Sequence, residues 1–344
     1  MMKIGGSFPY IPLPQEPNHF LEKLTPPTGD LRYLMSGRCG IYYALEDLKL
    51  RDSKRVAYVP VYTCETVLAP FHKAGYELIF YDVTKEMVPV FDPAVLERIS
   101  VISICGYYGF SKYDREFVAE CSRRGICVIE DTTHSIFSAD GIDPHCDYVV
   151  GSFRKWLGVA SGGFALRREG KFEVPLLPPD EQHLKWRREC IDLKEQGAPE
   201  ADDLFWKAEM QLRQIFDCYQ ADPESIAILD FYPVRQLQCR RRANYQYLLE
   251  HLRPTEAWEI VFPELPDGVV PSHMTVYAKE REAFRKVVTG AGISCTSYWP
   301  VGPLVSLEGR PEAAYIYEHV CSVPCDQRYG EEEMQRICEV LNGI

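Results

Sequence analysis

One lysine lies in an unusual place, between an apolar run and a pair of glycines. The stretch VVGSFRKWLGVASGGFAL, residues 149–166, has the pattern of a strand that ends just before Lys155, and Gly162 and Gly163 follow. Most lysines project into water, whereas a partly apolar site disfavours the charged form of a lysine. The neutral amine is a nucleophile that forms a Schiff base with a carbonyl compound. Lys155 is therefore the leading candidate for covalent chemistry.

An acid and a histidine follow a second predicted strand. The run ICVIEDTTHS places Glu130, Asp131 and His134 directly after apolar residues 126–129. In open α/β sheets, ligands bind beyond the carboxyl ends of the strands, so we expect these side chains on the same rim as Lys155. A carboxylate at a strand end can keep a pyridinium nitrogen protonated, which makes the ring an electron sink. Asp131 is the candidate for that role, and His134 for a second contact with the ring.

A predicted helix start provides an anion site. Ser36 precedes the helical pattern GRCGIYYALEDL, and the first N–H groups of a helix have no partners within it. Such a start binds phosphate through its N–H groups and its dipole. The candidate phosphate ligands are the backbone groups of Gly37, Arg38 and Cys39, together with the side chain of Ser152. A phosphate site, a partner for a pyridinium nitrogen and a reactive lysine are the requirements of pyridoxal 5'-phosphate (PLP) chemistry.

Alternating strand and helix patterns must position these groups. Between Arg38 and Arg168, strand patterns such as RVAYVPVY, YELIFYDV and VISIC alternate with helical patterns such as CETVLAPFHKAG, and AVLER is predicted to be helical. This alternation predicts a largely parallel sheet with helices on both faces. A later alternation, with HMTVYA and SCTSYW as strands, predicts a smaller α/β domain. The predicted division is an N-terminal arm over residues 1–20, a large domain over 21–225 and a small domain over 226–344.

Composition argues against several classes of partner. The chain has 344 residues and a formal net charge of −12, and a surface of that sign repels nucleic-acid phosphates and anionic lipid. No apolar run approaches the length of a membrane span, and the N-terminal stretch lacks the apolar core of a signal peptide. The 13 cysteines, many within apolar strand patterns, favour free buried thiols in a reducing compartment. We therefore expect a cytoplasmic protein that binds neither nucleic acid nor membrane.

A metal site is the alternative use of one group of cysteines. The stretch HVCSVPC holds His319, Cys321 and Cys325. A structural zinc site requires tighter paired spacing and a second pair of ligands, and the sequence shows no such second pair. We therefore expect no metal at these residues.

In the order and spacing of its motifs, most of the chain resembles the DegT/DnrJ/EryC1/StrS family of PLP-dependent sugar aminotransferases. SGRCGIYYAL resembles the family's helix start, and IEDTTHS resembles its acidic strand end, with Asp131 and His134 at the matching positions. SFRKWLGVASGG resembles its lysine segment, with the same seven-residue step from Lys155 to Gly162. The resemblance implies an α/β fold, the PLP-dependent transferase fold type I. That fold has a mostly parallel seven-stranded sheet between helices in the large domain and a smaller C-terminal α/β domain.

The resemblance also implies an enzyme and its substrates. The activity would be transfer of an amino group from an amino acid such as glutamate to a keto-sugar nucleotide, in polysaccharide or secondary-metabolite biosynthesis. Lys155 would carry PLP and then move a proton between substrate and cofactor carbons, while Asp131 keeps the ring nitrogen protonated. Family members build each site from two subunits, which implies a homodimer.

The sequence differs from the family's pattern at several cofactor positions. The family often has threonine at the position of Arg38, and an aromatic residue that stacks on the ring at the position of Cys64. Cys64 is expected to pack beside the ring instead. The family's phosphate-binding serine lies five residues before the lysine, where this sequence has Val150, and Ser152 is the nearest serine. The predicted helix near Arg235 lacks the family's Tyr-Asn-Tyr-Arg segment, which reaches the phosphate of the partner subunit.

The substrate side is predicted from the small domain. The stretch SCTSYWPVGP places Tyr298 and Trp299 where the family's small domain approaches the site, and aromatic rings suit bases and the apolar faces of sugars. Packing at the domain interface is the alternative role for both rings. The candidates for binding the diphosphate are Arg154, Arg235 and Arg328.

Two alternative functions remain. A PLP-dependent sugar dehydratase of the same family has histidine in place of the lysine, so the presence of Lys155 disfavours it. A non-catalytic regulatory protein of the same fold is favoured by Cys64 and by the missing partner-subunit segment. Spectra recorded with amino donors would separate that protein from an enzyme.

Overall fold

Strands and helices alternate along most of the chain. The computed structural model describes residues 3–14 and 16–344. In that part of the chain the strands are β1 Asp30–Leu34, β2 Val56–Pro60, β3 Glu77–Val83, β4 Pro89–Val90, β5 Val101–Cys105, β6 Cys127–Asp131, β7 Tyr148–Ser152, β8 Gly163–Arg167, β9 Trp258–Ile260, β10 Met274–Ala278 and β11 Val320–Val323. The helices are α1 Phe20–Leu24, α2 Gly37–Leu48, α3 Glu65–Lys73, α4 Arg115–Arg123, α5 Glu181–Glu195, α6 Glu200–Ile215, α7 Pro223–Phe231, α8 Val234–His251, α9 Arg281–Gly290, α10 Pro311–His319 and α11 Glu331–Leu341.

The larger sheet is mostly parallel, as its strand patterns predict. Its strands lie in the order β1-β8-β7-β6-β5-β2-β3-β4. The five strands from β7 to β3 are parallel, whereas β8, β1 and β4 pair antiparallel with their neighbours. The prediction of seven strands is wrong by one, because the two-residue β4 extends the edge at β3. The edge strand β1, with the sequence DLRYL, has no strand prediction because its residues do not form an apolar run.

The parallel strands bring their carboxyl ends together. Asp131, the last residue of β6, pairs with Cys105 at the end of β5 and with Val150 in β7. The chain leaves β7 two residues later, at Ser152, and Lys155 follows. The candidate acid and the candidate lysine therefore emerge from adjacent strands on one rim.

The start of α2 is fixed against this rim. The Ser36 hydroxyl caps the helix by accepting a hydrogen bond from the Cys39 N–H at 3.2 Å. A Cβ built on Gly163 would lie 2.0 Å from the Ser36 carbonyl oxygen and 2.8 Å from the Gly37 nitrogen. Both are backbone atoms, so no side-chain rotation could relieve the overlap. Gly163, the second glycine after the lysine, is thus required for α2 to begin beside β8.

The smaller sheet lies in the C-terminal part of the chain. Its order is β11-β10-β9, and both pairs are antiparallel. The strand predicted for SCTSYW is wrong except for one bridge, Thr296 to Ser322, because the segment leaves the sheet and runs toward the large domain. The helix predicted for AVLER is also wrong. A 3-10 turn, Pro93–Val95, capped by Asp92, forms there instead. A segment of so few residues forms too few hydrogen bonds to offset the free-energy cost of helix nucleation.

The first residues described pack on their own chain. Ile4 forms a bridge with Ile293, and Arg328 donates hydrogen bonds to the carbonyl oxygens of Ser7 and Gly6 at 2.9 and 3.2 Å. The division at residues 20 and 225 remains a prediction. Within residues 3–14 and 16–344, no helix is long and apolar enough to cross a membrane.

Candidate active site

Lys155 lies near the start of a loop whose two ends, Phe153 and Gly162, are joined by a hydrogen bond. The lysine lies in a 3-10 turn directly after β7, and its side chain is exposed while Phe153 and Trp156 are buried. The Phe153 N–H donates to the Gly162 carbonyl oxygen at 2.8 Å, which joins the two ends of the loop. The Trp156 indole N–H donates to the Thr133 carbonyl oxygen at 2.8 Å. The loop is thereby tied to the segment after β6. We call the region around Lys155, Asp131 and His134, at the carboxyl ends of β6 and β7, the cleft.

The surroundings of Lys155 favour its neutral form. Protein atoms around the ammonium group displace solvent and lower the pKa of Lys155, and positive charge on Arg154, Arg187 and Arg38 lowers it further. A negative charge on Cys64 would oppose this shift. Lys155 as a residue is nevertheless exposed, so it does not belong to the buried core. A neutral, accessible amine is the form that attacks a carbonyl carbon.

Asp131 presents one unengaged carboxylate oxygen. The residue is 8% exposed, and Thr133 donates both its N–H, at 2.9 Å, and its hydroxyl, at 2.6 Å, to Oδ1. Within the described residues both hydrogen bonds go to Oδ1, so Oδ2 is available to another donor. Burial raises the pKa of Asp131, and the bonds from Thr133 lower it. A buried carboxylate with a free oxygen is suited to a protonated ring nitrogen.

His134 is a buried, neutral imidazole. It is 6% exposed, and its Nδ1 has no hydrogen-bond partner among the described residues. Burial lowers the pKa of His134 well below its usual value, and positive charge on His273 and Lys155 adds to this. Buried polar atoms are nearly always hydrogen-bonded in folded proteins, so the free nitrogen indicates the position of a ligand.

A wall of rings from the C-terminal part of the chain lies beside His134, and it contains Tyr298 and Trp299, whose role in substrate binding remains a prediction. Both rings pack on His134, with centroid separations of 5.7 and 5.5 Å. His273, just before β10, joins them: its Nε2 lies 3.3 Å from the Tyr298 hydroxyl, and its ring lies 6.4 Å from His134. Burial lowers the pKa of His273 to about 3, with help from the charges of Arg241 and Lys155.

The start of α2 lies against Ser152. A Cβ built on Gly37 would lie 3.0 Å from the Ser152 Cβ, whereas Val150 is fully buried. Ser152 is therefore the serine that approaches the helix start. Arg38 and Cys39 lie in the same first turn, and the Arg38 Nε is buried without a hydrogen-bond partner in the described chain.

Cys64 lies at the N-cap of α3. Its sulfur accepts a hydrogen bond from the Thr66 hydroxyl at 3.1 Å, and it is half-buried. Its charge would act on both Lys155 and Tyr298, so it lies near the lysine and the ring wall. The packing of Cys64 beside a ring of the cofactor remains a prediction.

Of the three arginines predicted to bind a diphosphate, two are held by carboxylates and one is exposed. Arg328 is held by Asp326, with Nε 2.8 Å from Oδ1, and Arg154 is paired with Glu209. Neither is free for a substrate group. Arg235 is exposed on α8.

The HVCSVPC residues point to separate partners. The His319 Nδ1 lies 3.0 Å from the Ala278 carbonyl oxygen, and the Cys325 sulfur lies 3.9 Å from the Pro271 carbonyl oxygen. Cys321 is hydrogen-bonded to Cys295, which lowers the pKa of Cys321. Across residues 3–14 and 16–344, no three potential ligands converge as a metal site requires.

Solved structures share the fold of this chain. PseC of Helicobacter pylori, an aminotransferase involved in the biosynthesis of pseudoaminic acid, matches with a TM-score of 0.71 at 12% identity over 98% of each chain. S. venezuelae DesV, solved in complex with a ketimine intermediate, has a TM-score of 0.68 at 16% identity over 98% of this chain and 90% of DesV. A DegT DnrJ EryC1 StrS aminotransferase from Brucella abortus has a TM-score of 0.62 at 16% identity, over 94% of this chain and 89% of that chain. This chain has the aminotransferase fold.

The aminotransferase fold confirms the predicted architecture of a large, mostly parallel sheet with a smaller C-terminal part. No protein-family model matches the sequence, and no curated protein matches it. At identities of 12–16%, the likeness establishes the fold and leaves the reaction to be argued from the residues.

The residues of the cleft fit PLP. The helix start with the unpartnered Arg38 suits a phosphate, and the free Oδ2 of Asp131 suits a ring nitrogen. The unpartnered Nδ1 of His134 suits a polar substituent of the ring, and Lys155 suits its aldehyde. Each polar group of PLP thus has a matching protein group, and these protein groups have atoms that no other residue of the described chain occupies.

Proposed function

We propose that the protein is a PLP-dependent aminotransferase that transfers an amino group from an amino acid, such as glutamate, to a keto-sugar nucleotide. One observation carries the proposal. Lys155, whose pKa is lowered and whose amine is accessible, lies at the same rim as Asp131, with its free Oδ2, and His134, with its free Nδ1. The three side chains come from adjacent strand ends, where ligands bind in α/β sheets.

Each residue of the cleft has a defined role in this reaction. Bound PLP would supply an aldehyde that takes up amino groups and a ring that accepts electrons from a deprotonated carbon. The neutral amine of Lys155 would hold the cofactor and, once released, move a proton between the substrate and cofactor carbons. Asp131 would hold a proton on the ring nitrogen through Oδ2. His134, which is neutral, would contact the ring through Nδ1.

A sugar nucleotide as acceptor is supported by the ring wall and by the relatives. Tyr298 and Trp299 present flat apolar faces beside His134, and such faces suit a base or a sugar ring. The Tyr62 hydroxyl donates a short hydrogen bond to the Tyr298 carbonyl oxygen, which fixes the wall against the large domain. PseC, which has the same fold, takes part in pseudoaminic acid biosynthesis. A role in polysaccharide or secondary-metabolite biosynthesis follows from this acceptor.

The half-reactions test this function. Protein loaded with PLP and converted by glutamate is expected to regain its aldehyde absorbance when a nucleotide-linked 3-keto or 4-keto sugar is added. The free keto-sugar without its nucleotide is the control and should react more slowly. If simple 2-keto acids restore the aldehyde absorbance and none of the keto-sugars does, the protein is an amino-acid aminotransferase and the proposed acceptor is wrong. PLP attachment with no spectral change on adding any donor would favour the non-catalytic alternative.

We also infer a homodimer in the cytoplasm. Trp206 and Met210, one turn apart on α6, are 59% and 50% exposed, and adjacent exposed apolar side chains favour a surface that a second copy covers. The 13 free cysteines suit a reducing compartment. Sedimentation velocity at micromolar concentration is expected to give a dimer, whereas a monomer that retains PLP would contradict the inference.

A further inference from the structure

Three buried arginines gather at the start of α2. Arg38 and Arg187 are 7% and 4% exposed, and the side chain of Arg154 is 9% exposed. Arg38 lies in the first turn of α2, Arg154 precedes Lys155, and Arg187 comes from α5. Glu209 Oε1 contacts Arg154 and lies 3.8 Å from Arg187 Nη1, and a Cβ built on Gly37, the residue before Arg38, would lie 3.0 Å from the Cβ of Ser152, two residues before Arg154. The charges of Arg187 and Arg38 also lower the pKa of Arg154, which burial already holds well below its usual value. We call Arg38, Arg154 and Arg187 the arginine cluster.

The cluster has more positive charge than the protein balances. Glu209 of α6 contacts Arg154 directly, and its Oε1 lies 3.8 Å from Arg187 Nη1. Arg38 makes no hydrogen bond or ion pair with any residue of 3–14 and 16–344, and its guanidinium lies 5.4 Å from the Phe216 ring. Glu65 also acts on Arg38, but it is paired with Arg213 at 3.2 Å, so Glu209 is the one carboxylate in contact with the cluster and two positive charges remain in excess. An unpaired buried charge is costly unless a ligand neutralises it.

The position of the cluster increases this cost in the absence of an anion. A helix N-terminus carries partial positive charge, so cations beside it are unfavourable and anions favourable. Arg38 is the second residue of α2, and Arg154 follows Ser152, whose Cβ lies against the first residue of that helix, Gly37. The charges of both arginines act on Cys39 in the same turn. Arg38 Nε, Arg154 Nε and two nitrogens of Arg187, Nε and Nη1, lack hydrogen-bond partners within the described residues. An anion bound here would satisfy the helix N–H groups and the guanidinium groups together.

We propose that the arginine cluster and the first N–H groups of α2 bind one phosphate dianion, and that the packed pair α5 and α6 closes over it from the same chain. Resting on the proposed function, this assigns the cluster to the phosphate of the cofactor. A phosphate monoester carries a charge of about −1.5 to −2 at neutral pH, which matches the excess of the cluster. The same charges reach Lys155, so the phosphate site and the attachment point lie within one cleft. Arg154 then serves the cofactor and not the substrate diphosphate.

Cofactor selectivity tests the assignment without recourse to turnover. Cofactor-free protein is titrated with PLP and with pyridoxal, which lacks the phosphate, while the absorbance of the covalent product is followed. Arg187→Met is expected to weaken PLP binding by roughly 10- to 100-fold, because that is the usual contribution of a hydrogen bond to a charged group. The same variant is expected to bind pyridoxal as the parent protein does. Lys185→Met is the matched control, because Lys185 is an exposed cation on the same helix. It should bind both compounds as the parent protein does.

Thermal unfolding with inorganic phosphate separates an anion site from a merely structural role. Phosphate is expected to raise the Tm of the cofactor-free parent protein and to raise that of Arg187→Met much less. Without phosphate, Arg187→Met should melt at the same temperature or higher, because it removes an unbalanced buried charge. A lower Tm with an unchanged phosphate response would make Arg187 a structural partner of Glu209 and overturn the proposal.

The two proposals fail in different ways. If the parent protein binds PLP and Arg187→Met binds PLP and phosphate equally well, the arginine cluster is not the phosphate site. If the parent protein binds neither PLP nor pyridoxal at Lys155, the proposed function is wrong. A phosphate-induced rise in Tm that Arg187→Met abolishes would still support the anion site in that case.

Discussion

Replacing Lys155 with alanine is expected to abolish the covalent retention of PLP and to slow amino transfer by at least about 10²- to 10⁴-fold, the range for loss of a positioned acid–base group. The physical reason is that the accessible amine, whose pKa is lowered by burial and by nearby arginines, is both the attachment point and the proton carrier. Borohydride reduction followed by peptide mass mapping measures the attachment. Single-turnover spectra with glutamate measure the transfer.

Lys286→Ala is a suitable control for this substitution. Lys286 is exposed on α9 of the small domain, so its removal should change neither attachment nor transfer. Added methylamine is expected to restore part of the rate to Lys155→Ala, because a free amine can carry the missing proton, whereas a misfolded variant would not respond. Label on another lysine, or none on the parent protein after PLP is supplied, would remove Lys155 from the site.

The same lowered pKa gives attachment a pH dependence. Only the neutral amine of Lys155 attacks an aldehyde, so the rate of attachment rises with pH until the amine is fully deprotonated. Because the pKa of Lys155 lies below 10.5, the ordinary value for lysine, the rate should reach its plateau at a lower pH than for an exposed lysine. The excess charge of the arginine cluster contributes to this shift, which links the phosphate end of the cleft to its reactive end.

The sequence predicts the parts of the site that lie next to strong local patterns. Asp131 and Lys155 directly follow apolar strand runs, and the rule that ligands bind at carboxyl strand ends places both on one rim without any coordinates. Ser36 precedes a clear helical pattern that begins at Gly37, so the proposed anion site at the start of α2 also follows from the sequence. His134 follows from its distance of three residues from Asp131.

The remaining site residues come from segments whose local pattern has no relation to the cleft. His273 stands before an ordinary strand of the small sheet, and it reaches Tyr298 and His134 only because the two domains pack together. Arg187 lies within a polar helix whose other cations face solvent or carboxylates, so its burial is decided by tertiary packing. For SCTSYW the apolar and β-branched residues indicate a strand. Instead, the aromatic residues of this segment contact the large sheet's part of the chain. The local sequence pattern does not reveal such tertiary contacts.

The cleft separates charge from apolar surface along its length. At one end the arginine cluster and the start of α2 concentrate positive charge. At the other, His134 and His273 are held neutral by burial and pack among the rings of Tyr298 and Trp299. A phosphorylated cofactor would therefore be held with its phosphate toward the arginine cluster and its ring toward the histidines. Lys155 and Asp131 must then act on the part of the ligand between those ends.

Asp131→Asn is expected to keep the fold and the covalent attachment of PLP while slowing amino transfer by about 10²- to 10³-fold, the loss typical of one removed electrostatic partner. The amide oxygen of asparagine can still accept both hydrogen bonds from Thr133 at Oδ1, so the loop after β6 should keep its conformation. At the position of Oδ2, however, the variant has an NH₂ group, which donates a hydrogen bond where the ring nitrogen requires an acceptor. The nitrogen then loses its proton, and the ring no longer draws electrons from the substrate carbon.

The same chemical change at a capping residue provides the control for Asp131→Asn. Asp114 caps α4 by accepting hydrogen bonds from the N–H groups of Glu116 and Phe117, at 2.9 and 3.2 Å, and asparagine caps helices about as well as aspartate. Asp114→Asn should therefore transfer amino groups at the parent rate, with an unchanged urea midpoint. In Asp131→Asn the loss should appear in the single-turnover rate while borohydride trapping at Lys155 continues, because attachment depends on the amine and not on the ring nitrogen. Transfer near the parent rate in Asp131→Asn would place its carboxylate away from the ring and leave the cleft without an electron sink.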